Sequence, residues 1–180
     1  MAGRDALIEE LRAHVVEKLP ELDGVIGLRR TVEGAAPYLF REGGDLSQLV
    51  LSPRYPLSTT VSLLQKRYPE AHFGIVARGC DMRALVEMAK REQVDPDRLY
   101  LLGVACTAEE AEECRCADPV PHPEPWPQAE LLGTPVGGAP PNPIVAEYEK
   151  MSLQERHVFW KRQFLKCIKC YGCRNICPEC

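Results

Sequence analysis

The first part of the chain has hydrophobic residues at the spacing of an amphipathic helix. Within residues 5–19, leucine or valine recurs at every fourth position with charged residues between, and Pro20 ends the pattern. These hydrophobic positions are Leu7, Leu11, Val15 and Leu19. Residues 25–30 and 37–40 are rich in strand-forming residues and predict a hairpin, with residues 46–51 as a further extended segment. The chain therefore begins with a helix that covers a core, followed by strands.

The middle of the chain predicts a βαβ unit. Residues 73–77 and 99–105 are nearly continuous apolar runs, which is typical of parallel strands buried on both faces. Between them, a helix beginning at Asp81 carries one apolar stripe, and a turn at residues 95–97 closes it. Another helix is predicted within residues 58–68. The fold class is therefore α/β, a small sheet containing parallel strands with flanking helices, to which a helical, cysteine-rich, ferredoxin-like tail is joined.

The last third of the chain predicts a spacer and then the tail. Nine of the sixteen prolines lie between Pro119 and Pro143, which predicts a semi-rigid extended linker. A capping box formed by Ser152 and Glu155 then opens a helix that runs to about Lys166. The predicted organisation is an α/β core domain over residues 1–118, a proline-rich linker over 119–143, and a helix with an iron-sulfur motif over 144–180.

Composition and charge exclude several functions and place the chain in a reducing compartment. The formal net charge is −4 and the pI is about 5.6, which argues against nucleic acid as a partner. The N-terminal region resembles neither a secretory signal nor a membrane span, so we expect a cytoplasmic protein. In the cytosol, nine cysteines would remain thiols, which favours metal ligation over disulfides. Nucleotide, Rossmann and zinc-protease signatures are missing, so no catalytic residue is predicted.

The last fourteen residues contain five of the nine cysteines and match a bacterial ferredoxin motif. The spacing C-x2-C-x2-C-x3-C-P, here called the ferredoxin-type run, is that of thiolate ligands to a 4Fe-4S cluster. The candidate ligands in this part of the chain are Cys167, Cys170, Cys173, Cys177 and Cys180. A zinc knuckle is the alternative that four thiolates also allow, although zinc sites usually pair two C-x2-C hooks that lie further apart. Disulfides are the least favoured use.

The fourth ligand of the cluster is left open by the spacing, because the last cysteine of such a run ligates another cluster in two-cluster ferredoxins. Either Cys177 or Cys180 completes the same cluster, or Cys177 helps to hold a second one. Cys80 and Cys106 directly follow the two predicted parallel strands, so both would open into one crevice at the carboxyl edge of the sheet. A second cluster would use these two residues, one of Cys114 and Cys116, and Cys177.

Other interpretations of these residues remain. The N-terminus of the predicted helix would favour the thiolate of Cys80, but Cys80 and Cys106 could equally be small buried hydrophobic residues. Cys114 and Cys116 as a C-x-C redox pair would be strained. Basic residues around the ferredoxin-type run could guide an acidic partner or form an ordinary solvated helix face. The aromatic residues there could shield a cluster or attach the helix to the core; they are Trp160, Phe164 and Tyr171.

Three motifs together resemble a known family. RGCD at Arg78–Asp81, GVAC at Gly103–Cys106 and C-Y-x-C-R-x-x-C-P at Cys170–Pro178 resemble the beta subunits of deazaflavin-linked hydrogenases and formate dehydrogenases, in the iron-sulfur branch found beside heterodisulfide-reductase-type complexes. The likeness runs from about Val25 to the C-terminus. It implies an electron-transfer subunit in which Cys80 and Cys106 lie near a cluster or flavin. Longer members continue with further cysteines, so we expect either a truncated version or a partner that supplies the rest.

The predicted function is electron transfer within a cytoplasmic anaerobic redox complex, with one 4Fe-4S cluster or two. Its partners would be other subunits of the complex and a ferredoxin or flavoprotein as electron donor or acceptor. The first alternative is an oxidoreductase that binds FAD in the crevice between Cys80 and Cys106. The second alternative is a zinc-stabilised interaction module.

Overall fold

The computed structural model describes residues 2–124, 126–140 and 142–177 as a mixed α/β fold. Its helices are α1 (Ala2–Lys18), α2 (Ser58–Arg67), α3 (Gly79–Lys90), α4 (Ala108–Glu113), α5 (Pro143–Lys150), α6 (Leu153–Phe164) and α7 (Gly172–Ile176). Its strands are β1 (Gly24–Thr31), β2 (Gly34–Phe40), β3 (Leu49–Val50), β4 (Phe73–Ala77), β5 (Leu99–Val104) and β6 (Ala129–Leu132). Three short 3-10 turns cover Leu19–Glu21, Leu46–Gln48 and Pro96–Arg98.

The six strands form one sheet in the order β2-β1-β4-β5-β6, and β3 pairs with β1 beside that path. The pairs β1–β4, β4–β5 and β5–β6 are parallel, whereas β2 and β3 are antiparallel to β1. In the central pair, Phe73 lies opposite Leu99 and Ala77 lies opposite Gly103. The carboxyl ends of β4 and β5 therefore lie side by side, which positions the residues that follow them.

Alternating side chains of β4 and β5 pack into two separate cores, one on each face of the sheet. Ile75 and Leu101 pack with residues of α2 and α3, whereas Val76 and Leu102 pack with residues of α1. The apolar stripe of α1 is buried in the second core: Leu7, Leu11, Val15 and Leu19. Because helices cover both faces of the parallel strands, those strands are nearly continuous apolar runs.

The predicted α/β class, with its parallel strands, flanking helices and βαβ unit, is confirmed with one shifted boundary, whereas the ferredoxin-like tail stays a prediction. The helix after β4 begins at Gly79 rather than at Asp81, because Asp81 acts as the third residue of a capping box and accepts a hydrogen bond from the backbone N–H of Arg78. The segment expected to be extended over residues 46–51 is a 3-10 turn that leads into the two-residue strand β3.

The proline-rich stretch over residues 119–143 carries a strand that its composition does not indicate. Ala129–Leu132 adds to the sheet as β6, beside β5, and Trp126 and Leu132 are buried. Prolines lie outside these four residues, so they interrupt no ladder hydrogen bond. At least this part of the expected spacer belongs to the α/β sheet. The proposed domain boundaries themselves stay a prediction.

The tail contains a helical hairpin whose contacts are mostly its own. Ser152 caps α6 through the backbone N–H of Glu155, as the sequence predicts. The Trp160 indole N–H donates to the Tyr148 hydroxyl at 2.8 Å, and the rings of Tyr148, Phe159 and Trp160 pack edge to edge or at a tilt. No residue of α5 or α6 is buried. Trp160 therefore packs against α5, and the expectation that it attaches the helix to the core is wrong.

No helix in the part of the chain that the structure describes is long and apolar enough to cross a membrane.

Candidate cysteine sites

Cys80 and Cys106 lie at the same edge of the sheet, as the sequence predicts. Cys80 is in the first turn of α3, directly after β4, and Cys106 follows β5 by two residues. Ala77 and Gly103 are paired at the carboxyl ends of β4 and β5, so the residues that follow these strands lie at one edge of the sheet. We call this edge, with its two cysteines, the cysteine crevice.

The RGCD sequence forms the turn that presents Cys80. The Arg78 guanidinium donates to the backbone carbonyl of Leu51, and the Asp81 carboxylate accepts from the backbone N–H groups of Leu57 at 2.9 Å and Arg78 at 3.2 Å. Arg78, Gly79 and Asp81 are all buried, whereas Cys80 is exposed. Three of the four residues therefore build the turn, and the cysteine alone faces the outside.

Gly79 is required in this turn because another segment passes very close to it. A Cβ atom at this position would lie 2.7 Å from the backbone carbonyl oxygen of Val120. We expect Gly79→Ala to lower the free energy of unfolding by about 1–2 kcal/mol, as overpacking costs about 1–3 kcal/mol and the better helix propensity of alanine offsets part of it. Chemical denaturation measures the change. Gly137→Ala is the matched control, since a Cβ there meets nothing within 4 Å, and an equal loss in both variants would contradict the explanation.

Two arginines and one glutamate surround Cys106. Arg4 in α1 forms an ion pair with Glu110 at 2.8 Å and also donates to the Ala105 carbonyl, and Arg78 lies 3.7 Å from the same carboxylate. Both guanidinium groups lower the pKa of Cys106, whereas Glu110 raises it. The crevice thus carries more positive than negative charge beside the sulfur.

The pKa values of both crevice thiols are nevertheless raised. Desolvation is the largest cause for each, and it raises the pKa of Cys80 to about 11, with a further contribution from the Asp81 carboxylate. The backbone N–H of Asp81, in the first turn of α3, lowers the pKa of Cys80, as expected of a helix N-terminus, but the net shift of the pKa is upward. Desolvation and the adjacent carboxylate outweigh the helix dipole, whose effect at such positions is small.

Cys114 and Cys116 interact with different arginines. Cys114 ends α4 and interacts electrostatically with Arg54, whereas the Cys116 sulfur accepts a hydrogen bond from Arg83 at 3.7 Å. Arg115 between them has a positive φ of 48°. The two thiols therefore have different surroundings. Cys116 contributes electrostatically to the raised pKa of Cys106.

The ferredoxin-type run lies at the surface. Cys167, Cys170 and Cys173 are exposed free thiols, Cys177 is half-buried, and Cys180 lies outside the described residues. The chain turns through two left-handed residues in this run, with φ of 58° at position 169 and 59° at position 171. The backbone N–H of residue 169 donates to the Cys167 sulfur at 3.4 Å. The loop therefore already contains one N–H···S hydrogen bond.

Neither group of cysteines is gathered into a ligand cage. Within residues 2–124, 126–140 and 142–177, no three histidine, cysteine or acidic side chains lie together as they would around a metal ion. The structure thus places Cys80, Cys106 and Cys116 around one crevice and four cysteines in the tail loop. Metal ligation by either group stays a prediction.

Sequence reasoning did not find the charged residues around the crevice. Arg4 and Glu110 are separated by more than a hundred residues, so no local motif links them. His122, to which the sequence gives no role, contacts the Asp118 carboxylate at 3.0 Å, and Asp118 also pairs with Arg83. Only the positions at which β4 and β5 end could have indicated which residues meet at the cysteine crevice.

Comparison with known proteins finds similarity to one class of redox subunit. Part of the chain is similar to proteins described as beta subunits of formate dehydrogenases. The F420-dependent formate dehydrogenase 1 subunit beta of Methanococcus maripaludis is 30% identical over 87 residues, which is 47% of this chain and 22% of that protein. The F420-dependent formate dehydrogenase subunit beta of Methanocaldococcus jannaschii is 40% identical over 40 residues, 21% of this chain and 11% of that protein. The chain thus spans about a fifth of these relatives or less, and no protein-family model matches it.

Proposed function

We propose that the chain is an electron-transfer subunit of a redox complex and that its tail holds a 4Fe-4S cluster through Cys167, Cys170, Cys173 and Cys177. The observation that carries the proposal is the ferredoxin-type spacing in a surface loop whose first three cysteines are exposed. Such a cluster supplies one-electron transfer when it is bound. No catalytic residue is needed for that role.

The donor set of the loop fits an iron-sulfur cluster. Iron in these clusters takes thiolate ligands, and hydrogen bonds to the sulfurs adjust the reduction potential. The loop offers four thiols within eleven residues and a backbone N–H that already donates to Cys167. The left-handed residues 169 and 171 bend the backbone between successive cysteines, so ligation requires the four side chains to rotate inward.

The partial relatives support a role within a larger assembly. Both are described as subunits of F420-dependent formate dehydrogenases. We therefore place this chain in a formate dehydrogenase, hydrogenase or heterodisulfide-reductase type of complex, with other subunits and a ferredoxin or flavoprotein as its partners. The free thiols of Cys80, Cys106 and the exposed tail cysteines fit the reducing cytoplasm.

The cysteine crevice supports a second, smaller proposal. Cys80 is the exposed residue of a turn built by its neighbours, and Cys106 and Cys116 interact electrostatically beside it. These cysteines, or Cys114 in place of Cys116, would hold a second cluster with Cys177 as the fourth ligand, and Cys180 would then complete the tail cluster. The alternative in which the crevice binds FAD draws on the arginines beside Cys106, which would suit an anionic cofactor.

Iron and acid-labile sulfide, measured per chain after oxygen-free purification from an anaerobic host, test the proposal. We expect about four iron and four sulfide per chain for the tail cluster alone, or about eight of each if the crevice also binds one. Zinc without iron would overturn the proposal in favour of an interaction module. Flavin released on acid denaturation, together with absence of iron, would overturn it in favour of an oxidoreductase.

A further inference from the structure

A large apolar surface on α6 is left uncovered by the described part of the chain. Leu153, Phe164 and Leu165 are 86%, 71% and 76% exposed, although residues of this size are normally at least half-buried. Phe164 stacks on Trp160, which contacts Tyr148 of α5, so this surface adjoins the aromatic contacts that hold the hairpin together. Most of the area of the three side chains is nevertheless left exposed.

A groove of about 750 Å³ lies on α6 beside these residues, and of the three only Leu165 lines it. Four apolar side chains line it, and two cationic side chains stand among them: Met151, Val158, Phe159 and Leu165, with Arg162 and Lys166. We call it the α6 groove. Glu155 also lines it, but its carboxylate is bound by the Ser152 hydroxyl and backbone N–H in the helix cap. The charged side chains that line the groove are therefore two cations and one carboxylate, an excess of positive charge.

The charges around the groove contrast with those of the whole chain. Residues 156–177 contain six lysine or arginine residues and no aspartate or glutamate, although the full chain has 26 acidic and 22 basic residues. Neither Arg162 nor Lys166 has an ion-pair partner among the described residues. An occupant that complements this surface must combine apolar side chains with an excess of carboxylates.

Other occupants match the groove less well. A second copy docked face to face would bring a surface with the same excess of positive charge against this one, which is unfavourable. A bilayer offers a flat surface rather than a protrusion that fills a concave groove. An acidic protein surface with a projecting apolar side chain satisfies both the shape and the charge.

We propose that the α6 groove is the docking site for an acidic iron-sulfur protein of the ferredoxin type. The identity of the partner rests on the proposed electron-transfer function. The groove is close to the proposed cluster, because α6 ends at Phe164, only three residues before Cys167. A partner seated in the groove lies beside the ferredoxin-type run. Apolar contact in the groove gives the affinity, and the surrounding cations select an acidic surface.

The test measures binding of the full chain to an oxidised, acidic two-cluster ferredoxin by titration calorimetry. We expect Arg162→Glu with Lys166→Glu to weaken binding roughly tenfold or more, and high salt to weaken binding by the wild-type chain. Arg30→Glu with Lys66→Glu is the control for net charge, since both residues are exposed elsewhere. Leu165→Ser should also weaken binding, whereas Leu63→Ser, an exposed leucine on α2, should not.

The possible outcomes separate this proposal from the proposed function. Equal weakening by both charge-reversal pairs, or no binding of the ferredoxin at all, would overturn the docking site. Self-association, or binding to vesicles containing phosphatidylserine, would also overturn the docking site if the groove variants selectively abolished that interaction. Iron and sulfide are measured on the same samples. Selective binding by a chain without iron would support the docking site and overturn the electron-transfer function. Iron without selective binding would support the electron-transfer function and overturn the docking site.

Discussion

Cys170→Ser should remove the tail cluster and leave the α/β sheet folded. Serine replaces a thiolate with a hydroxyl that stays protonated and binds iron poorly, so one of the four proposed ligands is lost. Cys170 is exposed and lies in neither of the two hydrophobic cores. We expect iron, sulfide and visible absorbance to fall to background, while the far-ultraviolet circular dichroism of the sheet and its helices is retained.

Asn175→Ser is the matched control for this experiment. Asn175 is an exposed residue of the same loop, so the substitution adds a serine hydroxyl without removing a thiol, and iron content should stay at the wild-type level. Full iron retention in Cys170→Ser would show that Cys170 is not a ligand. Unfolding of the whole chain would show that the tail is part of the folding unit, against the predicted division of the chain.

The parts of the fold that sequence predicts well are those with long, uninterrupted patterns. The strands β4 and β5 are apolar along their length because both faces are covered, and α1 with the 3-10 turn after it repeats an apolar residue at four successive i, i+4 positions. The strand β6 has only four residues, of which just Leu132 is buried, so it gives neither alternation nor a continuous run. Its place is set by pairing with β5, which is a tertiary effect.

The candidate site is predictable in position but not in chemistry. Parallel strands that are neighbours must bring Cys80 and Cys106 to one edge, and the structure places them there. The ionisation of Cys80 depends on what surrounds it, and the sequence shows only the helix N-terminus and the adjacent Asp81. Desolvation, the largest cause of its raised pKa, appears only when the chain is folded.

Asp81→Ala should destabilise the fold strongly, although Asp81 contacts no proposed ligand through its side chain. Its buried carboxylate accepts from the backbone N–H groups of Leu57 and Arg78, and each buried donor left without an acceptor costs about 1–3 kcal/mol. Burial raises the pKa of Asp81, so the carboxylate itself is desolvated at some cost, which its removal regains. We therefore expect the free energy of unfolding to fall by about 2–3 kcal/mol in chemical denaturation.

Asp45→Ala isolates the effect of burial. Asp45 caps a 3-10 turn and accepts hydrogen bonds from the backbone N–H of Ser47 and the side chain of Gln48, but it is exposed, so water replaces the lost acceptor. Its loss should destabilise the chain by less than half as much as Asp81→Ala. Asp81→Asn keeps one acceptor oxygen and should fall between the wild type and Asp81→Ala. Equal losses for Asp45→Ala and Asp81→Ala would mean that the turn presenting Cys80 does not depend on the buried hydrogen bonds.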